Sequence, residues 1–191
     1  MKKIIFVTTN KGKFWSARNQ LRDYGIEVIW RPVDIPEPRS FDLEEIAKHK
    51  AIHASKIVKE PLITLDAGFY LDSYKNFPGP FTNFALETLG LEGILKLVEG
   101  RERTCCFREF LAYIEPGSEP VVFEHEVRGS LSHKPLGTLS EYAWSELFLI
   151  YIPEGYNKTL AQMSRKEYEQ YWNRTEENSC FKKFGAWFVR R

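Results

Sequence analysis

Residues Ile4 to Val7 form an uninterrupted apolar run, the pattern of a central strand covered on both faces. The polar segment Thr8-Thr9-Asn10-Lys11-Gly12-Lys13 ends it, and from Phe14 the apolar residues Phe14, Ala17, Leu21 and Tyr24 keep helical spacing as far as Gly25. Strand, polar loop and helix therefore follow one another. Backbone N–H groups at a helix N-terminus, flanked by Thr and Asn side chains and a lysine in the first turn, suit a phosphate. The P-loop pattern is absent, and an ordinary N-cap with a solvated lysine accounts for the same residues.

Glu27 to Arg31 reads as a second strand and leads into Asp34-Ile35-Pro36-Glu37-Pro38. Prolines on both sides of Glu37 prevent regular pairing and hold the acid in an extended loop, which suits a metal ion and equally a solvated loop carboxylate. Asp42 and Glu45 have capping-box spacing, so Glu45 reads as structural. The helix that follows carries Leu43, Ile46, Ala47, Ala51, Ala54 and Val58 on one stripe, with Lys50 on or beside it. An inward lysine is costly unless it snorkels or meets an anion.

In Leu62 to Phe84, a β-rich run leads into Asp66. Ala67-Gly68 reads as a tight corner before a second run, Phe69 to Leu71, so Asp66 is expected at a strand end, either as a turn residue or as a carboxylate placed for chemistry. Phe77-Pro78-Gly79-Pro80 makes a stiff loop that opens into a helix. Helices are expected at Phe84–Leu89 and Leu91–Val98, broken by Gly90 and ended by Gly100. Thr104–Ile114 and Val121–Val127 form a hairpin about Glu115-Pro116-Gly117-Ser118. A strand over Leu147–Ile152, a turn at Pro153-Glu154-Gly155 and a final helix from about Glu176 to Val189 complete the reading.

At 191 residues the chain is read as one domain, 1–191, long enough for a sizeable core. Lys+Arg 27 against Asp+Glu 26 leaves a net charge of +1, which argues against a dedicated nucleic-acid binder. Cys105, Cys106 and Cys180 form neither a paired framework nor a zinc spacing, and a reducing cytosol suits them. The N-terminal apolar run is too short for a signal peptide and no stretch is long enough to span a bilayer. A cytoplasmic protein is the expectation.

TTNKGK after the first strand, IPEP before the helix with Lys50, LDAGFYLDSYKNFPGPF, ETLGLEGILKLVEG and TLAQMSRKEYEQYWNR fall in the order of the inosine triphosphate pyrophosphatase family, which the chain resembles over nearly its whole length. The resemblance implies an elongated, two-lobed α/β fold with a central mixed β-sheet flanked by helices, a nucleotide cleft between the lobes, and a homodimer. It also implies Mg2+-dependent cleavage of a nucleoside triphosphate between its α- and β-phosphates. Carried over by position, the phosphate loop corresponds to Thr8, Thr9, Asn10 and Lys13, the metal-binding glutamate to Glu37, and the helix lysine to Lys50. Asp66 corresponds to the metal ligand and proposed base. Asp66, Lys13 and Lys50 are thus the catalytic candidates, and Glu37 with Asp66 would supply the protein's share of a Mg2+ site.

The departures from the family pattern are specific. Leu65 stands where the motif has an acid, Ala67 where it has Ser or Thr, and Asn83 where a basic residue is common. The purine-reading loop is represented by Tyr142, Ala143, Trp144 and Ser145, and the C-terminal signature by Tyr168, Trp172, Asn173 and Arg174, of which only the arginine is retained. Asn83, Trp144, Ser145, Tyr168, Asn173 and Arg174 join the substrate-binding candidates. Phosphate and metal positions are kept while base-reading positions change, so the expectation is a nucleotide pyrophosphatase of altered base specificity, with aromatic rings to stack on a base. The alternatives are a catalytically silent nucleotide-binding homologue, suggested by Leu65, Ala67 and Asn83, and a single-strand-binding domain, which the charge balance disfavours.

Overall fold

The computed structural model describes every residue except Met1, Glu37, Tyr142, Glu176 and Glu177, and only the backbone of Asn173 and Thr175. Its strands are β1 (Lys2–Val7), β2 (Ile26–Arg31), β3 (Leu62–Leu71), β4 (Pro78–Gly79), β5 (Thr104–Ile114), β6 (Val121–Leu131) and β7 (Tyr151–Pro153). They form one mixed sheet in the order β2-β1-β3-β5-β6-β7, with β4 paired to β3. β1 is parallel to both β2 and β3, while β4 on β3 and β7 on β6 are antiparallel. The apolar run Ile4–Val7 is buried throughout, as expected of a strand with strands on both sides.

Helix α1 (Lys11–Arg22) begins three residues before the apolar spacing predicts. Its start is set by a cap: Asn10 Oδ1 accepts from the Lys13 amide at 3.0 Å. Helix α2 (Leu43–Val58) starts at Asp42, whose carboxylate accepts from the amides of Glu44 and Glu45. Glu45 completes this cap through Ser40, which donates to Glu45 Oε2 at 2.6 Å while accepting from the Asp42 amide at 3.1 Å. Glu45 is thus structural, and Lys59 ends the helix in the left-handed region.

Two expectations about strands are corrected. β3 runs unbroken from Leu62 to Leu71, so Asp66 lies within a strand and not at its end. Ala67-Gly68 makes no corner; a Cβ on Gly68 would come within 2.9 Å of the Gly79 carbonyl oxygen, so the glycine reflects the close approach of β4. The run Leu147–Ile152 is not one strand: Glu146–Leu149 form a 3-10 turn capped by Ser145, and β7 begins only at Tyr151. A short apolar run carries no period of its own, and here it is buried as a helical turn.

Helix α3 (Thr82–Leu97) is interrupted at Gly90, whose φ of +65° breaks helical geometry where the sequence places the break. The C-terminal tail holds two helices, α4 (Arg165–Thr175) and α5 (Cys180–Phe188). The helix expected from Glu176 is seen from Cys180 onward, with Ser179 as its cap.

The chain divides into two compact units, each made of separated segments: residues 1–67, 109–125 and 177–191 in the first, 68–108 and 126–176 in the second. In the first, Ile5, Val7, Ala47, Ala51, Ala54, Leu62, Ala112 and Ile114 share a core. The alanines on the inner face of α2 are the stripe read from sequence, and their size lets the helix lie close to the sheet. The second unit has its own core, with Phe69, Leu71, Ile94, Val98, Leu131, Ile150 and Tyr151 among its members. Among the described residues no helix is long and apolar enough to cross a membrane.

Candidate active site

Asp66 is 5% exposed, between Thr64 and Leu65 on one side and the close-packed Gly68 on the other. Lys50 reaches it from α2, with Nζ 2.8 Å from Asp66 Oδ1. The inward lysine therefore meets an anion instead of snorkelling, and the anion is a carboxylate of the same chain. Asp66 Oδ2 is buried and accepts no hydrogen bond among the described residues. An ionised oxygen held out of water without a donor is costly, and it is the natural place for a cation or a proton to be received.

The polar loop after β1 lies in the same unit. Thr8 is buried; its hydroxyl accepts from the Asn10 amide at 3.1 Å, and its carbonyl accepts from Trp30 Nε1 at 2.7 Å. Thr8 and Asn10 shape the loop and cap α1, while Thr9 is exposed. Lys13 extends from the first turn of α1 to the carbonyl of Leu65, its Nζ 3.1 Å from the oxygen. Two lysines from two helices thus converge on consecutive residues of β3, Lys13 on Leu65 and Lys50 on Asp66.

A group the sequence reading missed belongs with them. Glu109, on β5, is buried, and burial pushes its carboxyl up to about 7 against the downward pull of the Lys13 ammonium. The signal was present: strand alternation puts Glu109 on the face of β5 shared by buried Leu111 and Tyr113, opposite exposed Arg108. An acid on the buried face of an otherwise apolar strand is the exception that asks for a reason.

The remaining candidates belong to the second unit. Asn83 is exposed near the start of α3. Ser145 accepts from the Leu147 amide at 3.3 Å and so acts as a cap. Trp144 meets Trp172 edge-on at 5.9 Å; Trp172 lies 5.6 Å from Tyr168 and stacks on Tyr171 at 13°. Trp144, Tyr168 and Trp172 are half-buried against the unit's core, so their first use is packing. Arg174 is exposed, with its guanidinium 6.0 Å above the Tyr156 ring. Glu37 and Tyr142 lie outside the described residues, as does the side chain of Asn173. Among the described residues there is no group of three or more His, Cys, Asp or Glu side chains arranged to hold a metal ion.

The order of motifs and the sheet topology both have counterparts in known proteins. A dITP/XTP pyrophosphatase of Methanopyrus kandleri is 36% identical over 187 residues, covering 97% of this chain and 96% of that protein. A dITP/XTP pyrophosphatase of Methanothermobacter marburgensis is 35% identical over 188 residues, 98% and 96% of the two chains. Among solved structures, a HAM1 protein from Coxiella burnetii shares the fold over the full length of both chains, with a TM-score of 0.78 at 19% identity. The sequence profile of the Ham1 family matches residues 4–184, and with relatives this similar along nearly the whole chain, the protein is a member of the Ham1 family.

Proposed function

We propose that this chain hydrolyses a nucleoside triphosphate to the monophosphate and pyrophosphate, that it uses a divalent cation, Mg2+, and that it prefers a non-canonical or modified base. The observation that carries the reading is Asp66: a buried carboxylate with one oxygen on Lys50 and the other without a donor, in a chain whose relatives are named dITP/XTP pyrophosphatases. In the proposed reaction a water oxygen attacks the α-phosphorus, the anhydride bond to the β-phosphate breaks, pyrophosphate leaves, and Asp66 orients the attacking water, whose proton passes to the surrounding solvent. Lys13 and Lys50 carry positive charge to the phosphates, where negative charge accumulates in the transition state. The polar loop Thr8-Thr9-Asn10 presents the start of α1 to the same groups.

The orphaned oxygen of Asp66 fits a hard cation, with Glu37 of the Pro36-Glu37-Pro38 loop as the second protein ligand. When bound, a divalent cation would lower the pKa of water beside it and offset triphosphate charge. Base preference is assigned to Trp144, Ser145, Tyr168 and Asn173, which depart from the resemblance, together with the retained Arg174, while Thr8, Asn10, Lys13 and Lys50 keep to it; Asn83 is a further substrate-binding candidate. A homodimer in the cytoplasm belongs to the same reading; light scattering tests the dimer.

The deciding experiment is release of pyrophosphate and monophosphate with Mg2+ across ribo- and deoxynucleoside triphosphates, including deaminated and oxidised bases. Turnover of at least one substrate is expected, and Asp66→Asn should lower it by about a thousandfold or more while keeping the fold, a loss in the range seen when a group acting in the transition state is removed. A folded wild-type chain that binds nucleotides and releases no product would favour the silent-homologue reading suggested by Leu65 and Ala67.

A further inference from the structure

We propose that Trp30 is the positioning residue of the polar loop between β1 and α1: its indole clasps both ends of the loop and so sets Lys13 and the Thr9 amide for a polyphosphate. The proposal rests on the reading of this loop as a phosphate site. Trp30 Nε1 donates to the Thr8 carbonyl at 2.7 Å, where the chain leaves β1. The face of the same indole stacks on Phe14, with ring centres 5.4 Å apart and planes at 17°. Thr8 precedes the exposed Thr9 and Phe14 follows Lys13, so one side chain of β2 holds the residues on either side of Thr9–Lys13. Further hydrogen bonds run inward from this clasp. Thr8 Oγ1 accepts from the Asn10 amide at 3.1 Å, and Asn10 Oδ1 accepts from the Lys13 amide at 3.0 Å. Lys13 Nζ then donates to the Leu65 carbonyl at 3.1 Å, next to Asp66, whose buried Oδ2 accepts no hydrogen bond among the described residues.

A trans peptide sets its N–H opposite its C=O. With the Thr8 carbonyl held at the indole, the Thr9 amide is turned the other way, away from Trp30, at an exposed residue. Packing alone does not call for tryptophan here. Trp30 is half-buried near the end of β2, an edge strand of the sheet, where an aliphatic side chain would fill the space without a donor. Tryptophan adds an N–H to a broad aromatic face, and both are in use. A loop already held in shape costs less to order when phosphate binds, which strengthens binding of the substrate and of its transition state alike. Trp30 therefore acts through Thr8, Phe14 and Lys13, without itself touching the reacting atoms.

The test is calorimetric binding of inorganic pyrophosphate, with Mg2+, to the full-length protein, together with NMR of protein carrying isotopically labelled threonine. Trp30→Phe keeps a stacked ring and removes the donor. It should weaken pyrophosphate binding about fivefold, the size expected for the loss of one neutral hydrogen bond. The Thr9 amide resonance should shift when pyrophosphate is added to the wild type, and shift less in Trp30→Phe even at saturation. With a nucleoside triphosphate that is turned over, KM should rise by a similar factor while kcat stays within about twofold, the split expected when uniform binding is lost. A residue that only packs would lower the melting temperature and leave affinity and the Thr9 shift unchanged, and that result overturns the proposal. So does a fall in kcat at unchanged KM, or a wild type whose Thr9 amide does not respond to pyrophosphate. If Trp30→Phe does not fold, Phe14→Leu is read in the same assays: it leaves the donor, removes the stack and should weaken pyrophosphate binding by at least about twofold, with unchanged affinity overturning the proposal. Turnover keeps the two readings apart. Trp30-dependent pyrophosphate binding in a chain that hydrolyses no nucleotide overturns the proposed reaction alone, and nucleotide hydrolysis with pyrophosphate binding insensitive to Trp30→Phe overturns this inference alone.

Discussion

Lys50 was open at the level of sequence, since a lysine on an apolar stripe snorkels or finds an anion. In the structure it is 2.8 Å from Asp66, and both partners are largely out of water. Such a pair adds little net stability, yet breaking it from one side leaves a buried charge uncompensated. Lys50→Met is therefore expected to destabilise the protein by about 3 kcal/mol in urea unfolding. In the Asp66→Asn background the same change should cost much less, because the charge it strands is gone. The residue types at this site were legible from sequence, because a carboxylate in a β-rich run and a lysine on a helix stripe both violate the apolar pattern. Which of the lysine's options was taken was not, since residues 50 and 66 belong to different elements and only their packing brings them together.

At the scale of the element, β5 combines a strand's alternation with one buried acid. Glu109 titrates near 7 in the folded protein against an ordinary 4.5, a difference worth roughly 3 kcal/mol. The sign is destabilising: between those two pH values the unfolded chain has released the proton and the folded chain has kept it. Stability contributed by the neutral form is thus complete below about 4.5 and lost as pH rises through about 7. Glu109→Gln should therefore match wild type near pH 4.5 and exceed it by up to about 3 kcal/mol at pH 8, measured by urea unfolding at both pH values. β3 teaches the complementary lesson. Asp-Ala-Gly carries a strong local turn signal, yet the strand continues, because the place of β3 between β1 and β5 in the sheet and the approach of β4 at Gly68 outweigh a local preference. At Gly90 the local signal is backbone geometry that no partner opposes, and the helix breaks there.

Across the whole molecule, the two units have cores with no residue in common. Mild cavities in each should then act independently: Ile5→Val and Ile94→Val are each expected to cost about 1 kcal/mol, and the double variant should cost their sum to within about 0.5 kcal/mol. A markedly larger cost would mean the cores are coupled. The phosphate and metal candidates among the described residues, from Thr8 to Asp66, belong to the first unit, and Asn83, Trp144, Ser145, Tyr168 and Arg174 to the second. By itself the sequence determined the mixed α/β class, the helix cap at Asp42, the break at Gly90 and, through the order of its motifs, the Ham1 family, because each of these is written in neighbouring residues or in their sequence order. Tertiary structure alone decided that β3 runs through Asp66, that Lys50 pairs with it, and that Glu109 on β5 is buried within the field of Lys13 on α1. Those facts depend on which strands lie side by side and on how far each group is removed from water, and neither is encoded in the spacing of residues along the chain.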